Sequence, residues 1–105
     1  MIEIIAPEDC STMEEVRAGV DATDRTIGKL LAIRFGYMRA AARIKPERSH
    51  VRDEARKAEV IANAVMDART GDYPAAAAAD LWEVLVEASI AYELEAFDAR
   101  AQVND

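Results

Sequence analysis

Between residues 12 and 45, apolar side chains recur at intervals of three and four, which is the spacing of one face of an α-helix. Ser11 and Thr12 each precede a glutamate by three residues, the pattern of a capping box, and Pro46 ends the run. The sequence therefore predicts one long helix from about residue 12 to Ile44. Its apolar face would carry Val16, Val20, Thr23, Ile27, Leu30, Arg34, Met38, Ala41 and Lys45.

A second helix should follow a polar loop over residues 46–51. We expect it to begin at Arg52 or Asp53, because an acid is favourable near a helix N-terminus, and to run to Arg69. Gly71 suits the C-cap that ends this helix. The two boundaries predict a helix that is about half as long as the first.

A third helix is predicted from near Pro74 to about Ala101, since proline fits the first turn of a helix. Three prolines, four glycines and many alanines favour helix over sheet throughout the chain. The predicted fold class is therefore all-α, with residues 1–105 forming a single domain of three helices.

The length of the first helix indicates that the fold needs a second chain. A helix of about 33 residues is about 50 Å long, whereas a compact chain of about 100 residues has a radius of gyration of about 13 Å. The helix would project beyond such a globule and expose its apolar stripe. We therefore expect an intertwined homodimer in which the long first helices pack against each other.

Composition argues against several classes of function. The net charge is −7, so a nucleic-acid-binding surface is not expected. Cys10 and His50 are the single cysteine and histidine, which argues against an intramolecular disulfide or a zinc site. A catalytic Cys10–His50 pair stays an alternative, although neither residue lies in a recognisable sequence motif of a nucleophile. Without a membrane span of about 18 apolar residues or a secretory signal, the expected location is cytoplasmic.

Two cations interrupt the apolar stripe of the first helix. Arg34 and Lys45 are 11 residues apart, so they share a helix face to within about 20°. A buried cation is costly without a partner. Either carboxylates of another helix pair with these residues, or Arg34 and Lys45 line a pocket for an anionic ligand.

Arg17 lies too far along the same helix to join that pocket within one chain, since 17 residues separate it from Arg34 and span about 25 Å. In an antiparallel dimer, Arg17 of the partner subunit could reach it. The alternative is an ordinary surface arginine.

Further candidates lie on the other two helices. Asp53 and Arg56 open the second helix, either as ligand-binding residues or as a capping acid and a solvated arginine. Ser89 and Glu93 are four residues apart on the third helix and share a face with apolar groups. Glu93 could alternatively form a salt bridge with one of the cations.

Three segments in this order resemble the all-helical chorismate mutase family: VRAGVDATDRTIGKLLAIRFGYMRAAARIK, VRDEARKAEVI and LWEVLVEASIAYE. The N-terminal stretch PEDCSTMEEVRAGVD resembles the isochorismate pyruvate lyase branch of that family, which makes salicylate. The VRD before Arg56 is more similar to ordinary chorismate mutases. Together the segments span nearly the whole chain.

The resemblance implies a dimer with two equivalent sites for a small dicarboxylate, without a metal or cofactor. Arg34 and an Arg17 that crosses from the partner would bind the substrate carboxylates. Arg56 would lie near the carboxylate and ring end of the pocket, and Lys45 would contact the ether oxygen and a carboxylate. Asp53 would help to hold the ring hydroxyl, and Ser89 would support binding. Glu93 stands where the family usually has Gln, and would have to be protonated to donate a hydrogen bond as Gln does.

The implied reaction is the rearrangement of chorismate to prephenate, which needs a folded substrate and charge stabilisation rather than a nucleophile. Lys57 departs from the family, since many mutases carry there a Glu for the ring hydroxyl. The alternatives are a lyase acting on isochorismate, a mutase acting on an aminated chorismate analogue, and a helical dimer that is not an enzyme. Elimination of pyruvate from isochorismate needs nearly the same groups as the rearrangement, so the sequence separates these two reactions poorly.

Overall fold

Three α-helices account for most of the chain. The computed structural model describes residues 3–103, with side chains up to Arg100. The helices are α1 (Met13–Ile44), α2 (Glu54–Thr70) and α3 (Ala75–Val103), with single 3-10 turns at Pro7–Asp9 and Arg48–His50. Within the described range no residue lies in a strand. The predicted all-α class is therefore confirmed, and each predicted helix is found to within about two residues of its expected ends.

The start of α1 is fixed by the predicted capping box. The backbone N–H of Glu15 donates to Oγ1 of Thr12 at 3.2 Å, and Oε1 of Glu15 accepts from the Thr12 backbone N–H at 2.9 Å. Ser11 donates to the same carboxylate oxygen, and these hydrogen bonds, those from Ser11 first, lower the pKa of Glu15. Thr12 is therefore the N-cap, and Ser11 supports it.

The chain forms two compact units, one ending at Gly36 and the other beginning at Tyr37, with α1 running through the boundary. In the first unit, the segment before α1 turns back along the helix. A Cβ added to Gly19 would lie 3.9 Å from the carbonyl oxygen of Ile5, so the segment approaches α1 closely. Apolar side chains of this unit are nevertheless exposed along α1: Met13, Val16, Val20, Ile27, Leu30 and Ile33.

In the second unit, α2 and α3 pack through small residues at one end and branched residues at the other. Ala64, Ala68 and Ala78 are buried against one another, with Trp82 beside them. Val51, Val86 and Ile90 form the second cluster, against which Val60, Trp82, Leu94 and Phe97 pack. The alanines bring the helices close together, and the branched cluster supports the middle of α3.

The turn between α2 and α3 uses a left-handed residue. Gly71 is the C-cap of α2, as predicted, but its φ is −85° and it is Asp72 that adopts a φ of 58°. The N–H of Tyr73 then donates to the carbonyl of Ala68 at 3.0 Å. Aspartate tolerates this conformation better than most residues, and the tight turn returns α3 antiparallel to α2.

Candidate functional site

A buried carboxylate on α3 meets the cation that follows α1. Glu93 is 4% exposed, and its Oε2 accepts a hydrogen bond from Nζ of Lys45 at 2.6 Å. The side chain of Lys45 is 30% exposed. The salt bridge expected as an alternative for Glu93 is therefore present, with Lys45 as the cation. Lys45 has three N–H donors, and its partial exposure leaves its ammonium group within reach of a ligand.

Ser89 lies one helical turn before Glu93 on α3. Its hydroxyl donates to the carbonyl of Leu85 at 2.7 Å. Among the residues whose side chains the structure describes, Ser89 and Glu93 are the polar ones that are buried. Helical spacing predicted that the two residues share a face, and the family resemblance implied that both belong to the site. Buried polar groups on a face that is otherwise apolar mark the place where α3 departs from simple core packing.

Arg100, near the C-terminal end of α3, binds backbone carbonyl groups at the end of α1, including that of Lys45. Nη1 of Arg100 approaches the carbonyl oxygens of Ala42 at 2.8 Å, Arg43 at 3.2 Å and Lys45 at 2.8 Å. The guanidinium carbon of Arg100 also lies 3.8 Å from the centroid of the Phe97 ring. Sequence reasoning missed Arg100. Pro46 was a signal for such a residue, because a proline leaves the carbonyl four residues before it without its helical donor.

Asp53 and Arg56 lie at the start of α2 and make local contacts. The Asp53 carboxylate caps the helix by accepting from the backbone N–H of Arg56 at 3.0 Å. The Arg56 side chain is exposed and pairs with Glu59. These are the contacts expected if Asp53 is a capping acid and Arg56 a solvated arginine.

Lys57 binds two carboxylates of α3. Its Nζ lies 2.8 Å from Oε1 of Glu83 and 2.8 Å from Oε2 of Glu87, and its side chain is only 17% exposed. Arg52 pairs with Glu87 at 2.7 Å and with Glu54 at 2.9 Å. The hydrogen bonds from Arg52, and then those from Lys57, lower the pKa of Glu87 to about 2. Lys57 therefore ties α2 to α3 in a network of charges.

Arg17 and Arg34 belong to the first compact unit. Arg17 is exposed on α1, whereas Arg34 is partly buried and has an interaction partner. Cys10 is partly buried as well, and its Sγ lies 3.8 Å from the carbonyl oxygen of Ile5. In the second unit, His50 lies 3.8 Å from a carboxylate oxygen of Glu47.

Within residues 3–103 there is no group of three or more His, Cys, Asp or Glu side chains that could hold a metal ion. Over the same range no helix combines the length and the apolar character required to cross a membrane.

Comparison with known families finds a match that covers most of the chain. The family described as chorismate mutase type II matches residues 16–94. This range contains every residue that the sequence proposed for the site: Arg17, Arg34, Lys45, Asp53, Arg56, Ser89 and Glu93. A search of curated proteins finds no significant match. Phe97 and Arg100 lie beyond the end of the matched range.

Proposed function

The chain belongs to the chorismate mutase type II family, and we propose that it catalyses the rearrangement of chorismate to prephenate. The observation that carries the proposal is the contact between Lys45 and the buried Glu93, within the part of the chain that the family matches. The contact brings together a cation and a carboxyl group, which are the two groups that the proposed reaction would use at one ligand oxygen.

The reaction breaks one C–O bond and forms one C–C bond within the same molecule. It transfers no proton to the enzyme, so the residues have to fold the substrate and stabilise charge that develops on the ether oxygen. The Lys45 ammonium is suited to that oxygen because its charge is compact and it has several donors. A preorganised donor of this kind contributes about 3–4 kcal/mol to the transition state.

Glu93 can supply a second donor only in its protonated form. In the ligand-free chain its Oε2 accepts from Lys45. We propose that Glu93 takes up a proton from solvent when the substrate binds, before the rearrangement, and then donates to the ether oxygen together with Lys45.

The carboxylates of the substrate are assigned to arginines, whose planar guanidinium groups match a carboxylate in two hydrogen bonds. In this proposal Arg34 and Arg56 come from one chain and Arg17 comes from the partner subunit. Arg56 would exchange its exposed pair with Glu59 for the ligand, since exposed ion pairs are weak. Asp53 helps to hold the ring hydroxyl and Ser89 supports binding.

The proposal includes a homodimer in which residues 1–105 act as one domain. Its support is the apolar surface of the first unit, since Val20, Ile27 and Leu30 on α1 are each about half exposed in the single chain. Exposed apolar side chains in a row mark an interaction surface. The helix of 32 residues is about 48 Å long and can carry such an interface along its length. The expected cytoplasmic location remains part of the proposal.

A lyase that releases pyruvate from isochorismate is the second candidate. It is favoured by the N-terminal stretch PEDCSTMEEVRAGVD and by Lys57, which stands where many mutases have a hydroxyl-binding Glu. In the structure Lys57 is held by Glu83 and Glu87. A mutase of an aminated chorismate analogue and a helical dimer without enzymatic activity are the remaining alternatives.

The deciding experiment supplies the purified protein separately with chorismate and with isochorismate. We expect prephenate from chorismate and little conversion of isochorismate. Salicylate with pyruvate from isochorismate would instead assign the lyase reaction, and no product from either substrate would leave the aminated-analogue mutase and the non-enzymatic dimer. The Lys45→Ala variant, purified identically, controls for a contaminating host mutase, because a contaminant would be equally active in both preparations.

A further inference from the structure

The C-terminal end of α1 contains a carbonyl group that its own helix cannot satisfy. The carbonyl of Ala42 would normally accept from the backbone N–H of residue 46, but Pro46 has none. Ala42 is 2% exposed, so water has little access to this residue. A buried carbonyl without a donor is unfavourable, and the fold therefore requires a donor from outside α1.

Arg100 is that donor. Its Nη1 lies 2.8 Å from the Ala42 carbonyl and 2.8 Å from the carbonyl of Lys45. A cation is also favoured at the C-terminus of a helix, where the helix dipole is negative. The ring of Phe97, at 3.8 Å, holds the guanidinium group from one side.

As a result, both the backbone N–H and the backbone carbonyl of Lys45 are hydrogen-bonded. Its N–H donates to the carbonyl of Ala41 at 2.9 Å, which continues α1, while its carbonyl accepts from Arg100 on α3. Glu93 and Arg100 are seven residues apart, so they share a face of α3 to within about 20°. One face of α3 thus contacts Lys45 twice, at the ammonium group and at the carbonyl oxygen.

We propose that Arg100 is a positioning residue for Lys45. It fixes the backbone from which the Lys45 side chain extends, so that the ammonium group is held beside Glu93 before the substrate arrives. Arg100 makes no contact with the reacting atoms in this assignment. The inference rests on the proposed function, because Lys45 is the residue whose position affects the reaction.

The first test is a double-mutant cycle in the chorismate mutase assay, with activity expressed per folded protein. Arg100→Ala is expected to lower kcat, up to about 100-fold if Lys45 is displaced by about 1 Å, with little change in KM. Arg100→Lys should recover part of the loss. In a Lys45→Ala background, Arg100→Ala should have no further effect. Equal losses in both backgrounds, or an unchanged kcat, would overturn the proposal.

Arg69→Ala is the matched control, because Arg69 is an exposed arginine in the last turn of α2. It should leave kcat unchanged. A fall in kcat as large as that of Arg100→Ala would show that losing any arginine at a helix end has this effect.

The second test does not depend on activity. Lysines are acetylated with a limiting amount of reagent, and the rate at each site is measured by mass spectrometry. Lys45 should react slowly in the wild-type protein because of its bond to Glu93, and several-fold faster in Arg100→Ala, relative to exposed Lys29. An unchanged ratio would overturn the positioning role. If neither substrate is turned over, the proposed function fails, and this ratio still decides the role of Arg100.

Discussion

The ammonium nitrogen of Lys45 lies 2.6 Å from Oε2 of Glu93, a residue of which only 4% is exposed. Lys45 directly follows α1 and Glu93 lies in the middle of α3, so the contact links two segments that are 48 residues apart. Each group compensates the charge of the other in a place that is largely closed to water. A change at either residue therefore alters both the site and the charge balance of its surroundings.

Lys45→Ala should lower kcat about 100- to 1,000-fold, which is the usual effect of removing one preorganised donor from a developing oxyanion. The variant is assayed with chorismate at saturating concentration, after its helical content has been compared with that of the wild type. Lys29→Ala, at an exposed lysine of α1, is the control and should retain full activity. An unchanged turnover in Lys45→Ala would reject the role of Lys45 at the ether oxygen.

Glu93→Gln should change the pH profile of the reaction. The wild-type protein can donate from Glu93 only when the carboxyl is protonated, so its kcat should rise as the pH falls. A glutamine donates at every pH, so the kcat of the variant should depend less on pH than that of the wild type. Profiles of kcat between pH 5 and 8 provide the measurement, and identical profiles would contradict a donating Glu93.

Because of the ion pairs of Glu87, part of the free energy of unfolding should depend on pH. Arg52, and then Lys57, lower the pKa of Glu87 from 4.5 to about 2. A carboxyl with a lowered pKa in the folded state stabilises the protein above pH 4.5, and the contribution disappears as the pH falls through 2. Glu87→Gln should therefore lower the free energy of unfolding at pH 7, with the difference shrinking toward pH 2.

Urea unfolding of the wild type and the variant at several pH values measures this difference. Glu95→Gln makes the same change at an exposed position of α3 and should leave the stability almost unaltered. If Glu87→Gln and Glu95→Gln behave alike at pH 7, the network contributes nothing measurable.

The assignment of Arg17 to the partner subunit can be tested by mixing two inactive variants. Arg17→Ala and Lys45→Ala should each have low activity alone. After unfolding and refolding together in equal amounts, random pairing yields heterodimers in half of the molecules, each with one intact site, so about one quarter of the wild-type activity should return. If Arg17 acted within its own chain, no heterodimer would contain an intact site and activity would stay low.

Local chemistry made the helices predictable. Thr12 and Glu15 define the start of α1, Pro46 follows its end, and Asp53 caps α2, and each of these signals acts over only a few residues. The face shared by Ser89 and Glu93 was predictable for the same reason, since helical spacing alone places them together.

The partners of the buried and half-buried charges were not predictable in the same way. Helical spacing left several cations as possible ion-pair partners of Glu93. That the partner is Lys45 depends on how the fold brings residues 45 and 93 together. Lys57 was noted only as a departure from the family, whereas its two glutamates lie 26 and 30 residues away. Arg100 is 55 residues from Lys45, a separation at which no local pattern operates.

The alanine contact between α2 and α3 also determines where this protein can change during evolution. Ala68 and Ala78 have no exposed surface, so a larger side chain at either position would force the helices apart. Selection for a bulkier substrate should therefore conserve both alanines and collect substitutions around Ser89, where the buried polar face of α3 lies. The packing of α2 against α3 would then stay constant, while substitutions on one face of α3 would change the substrate preference.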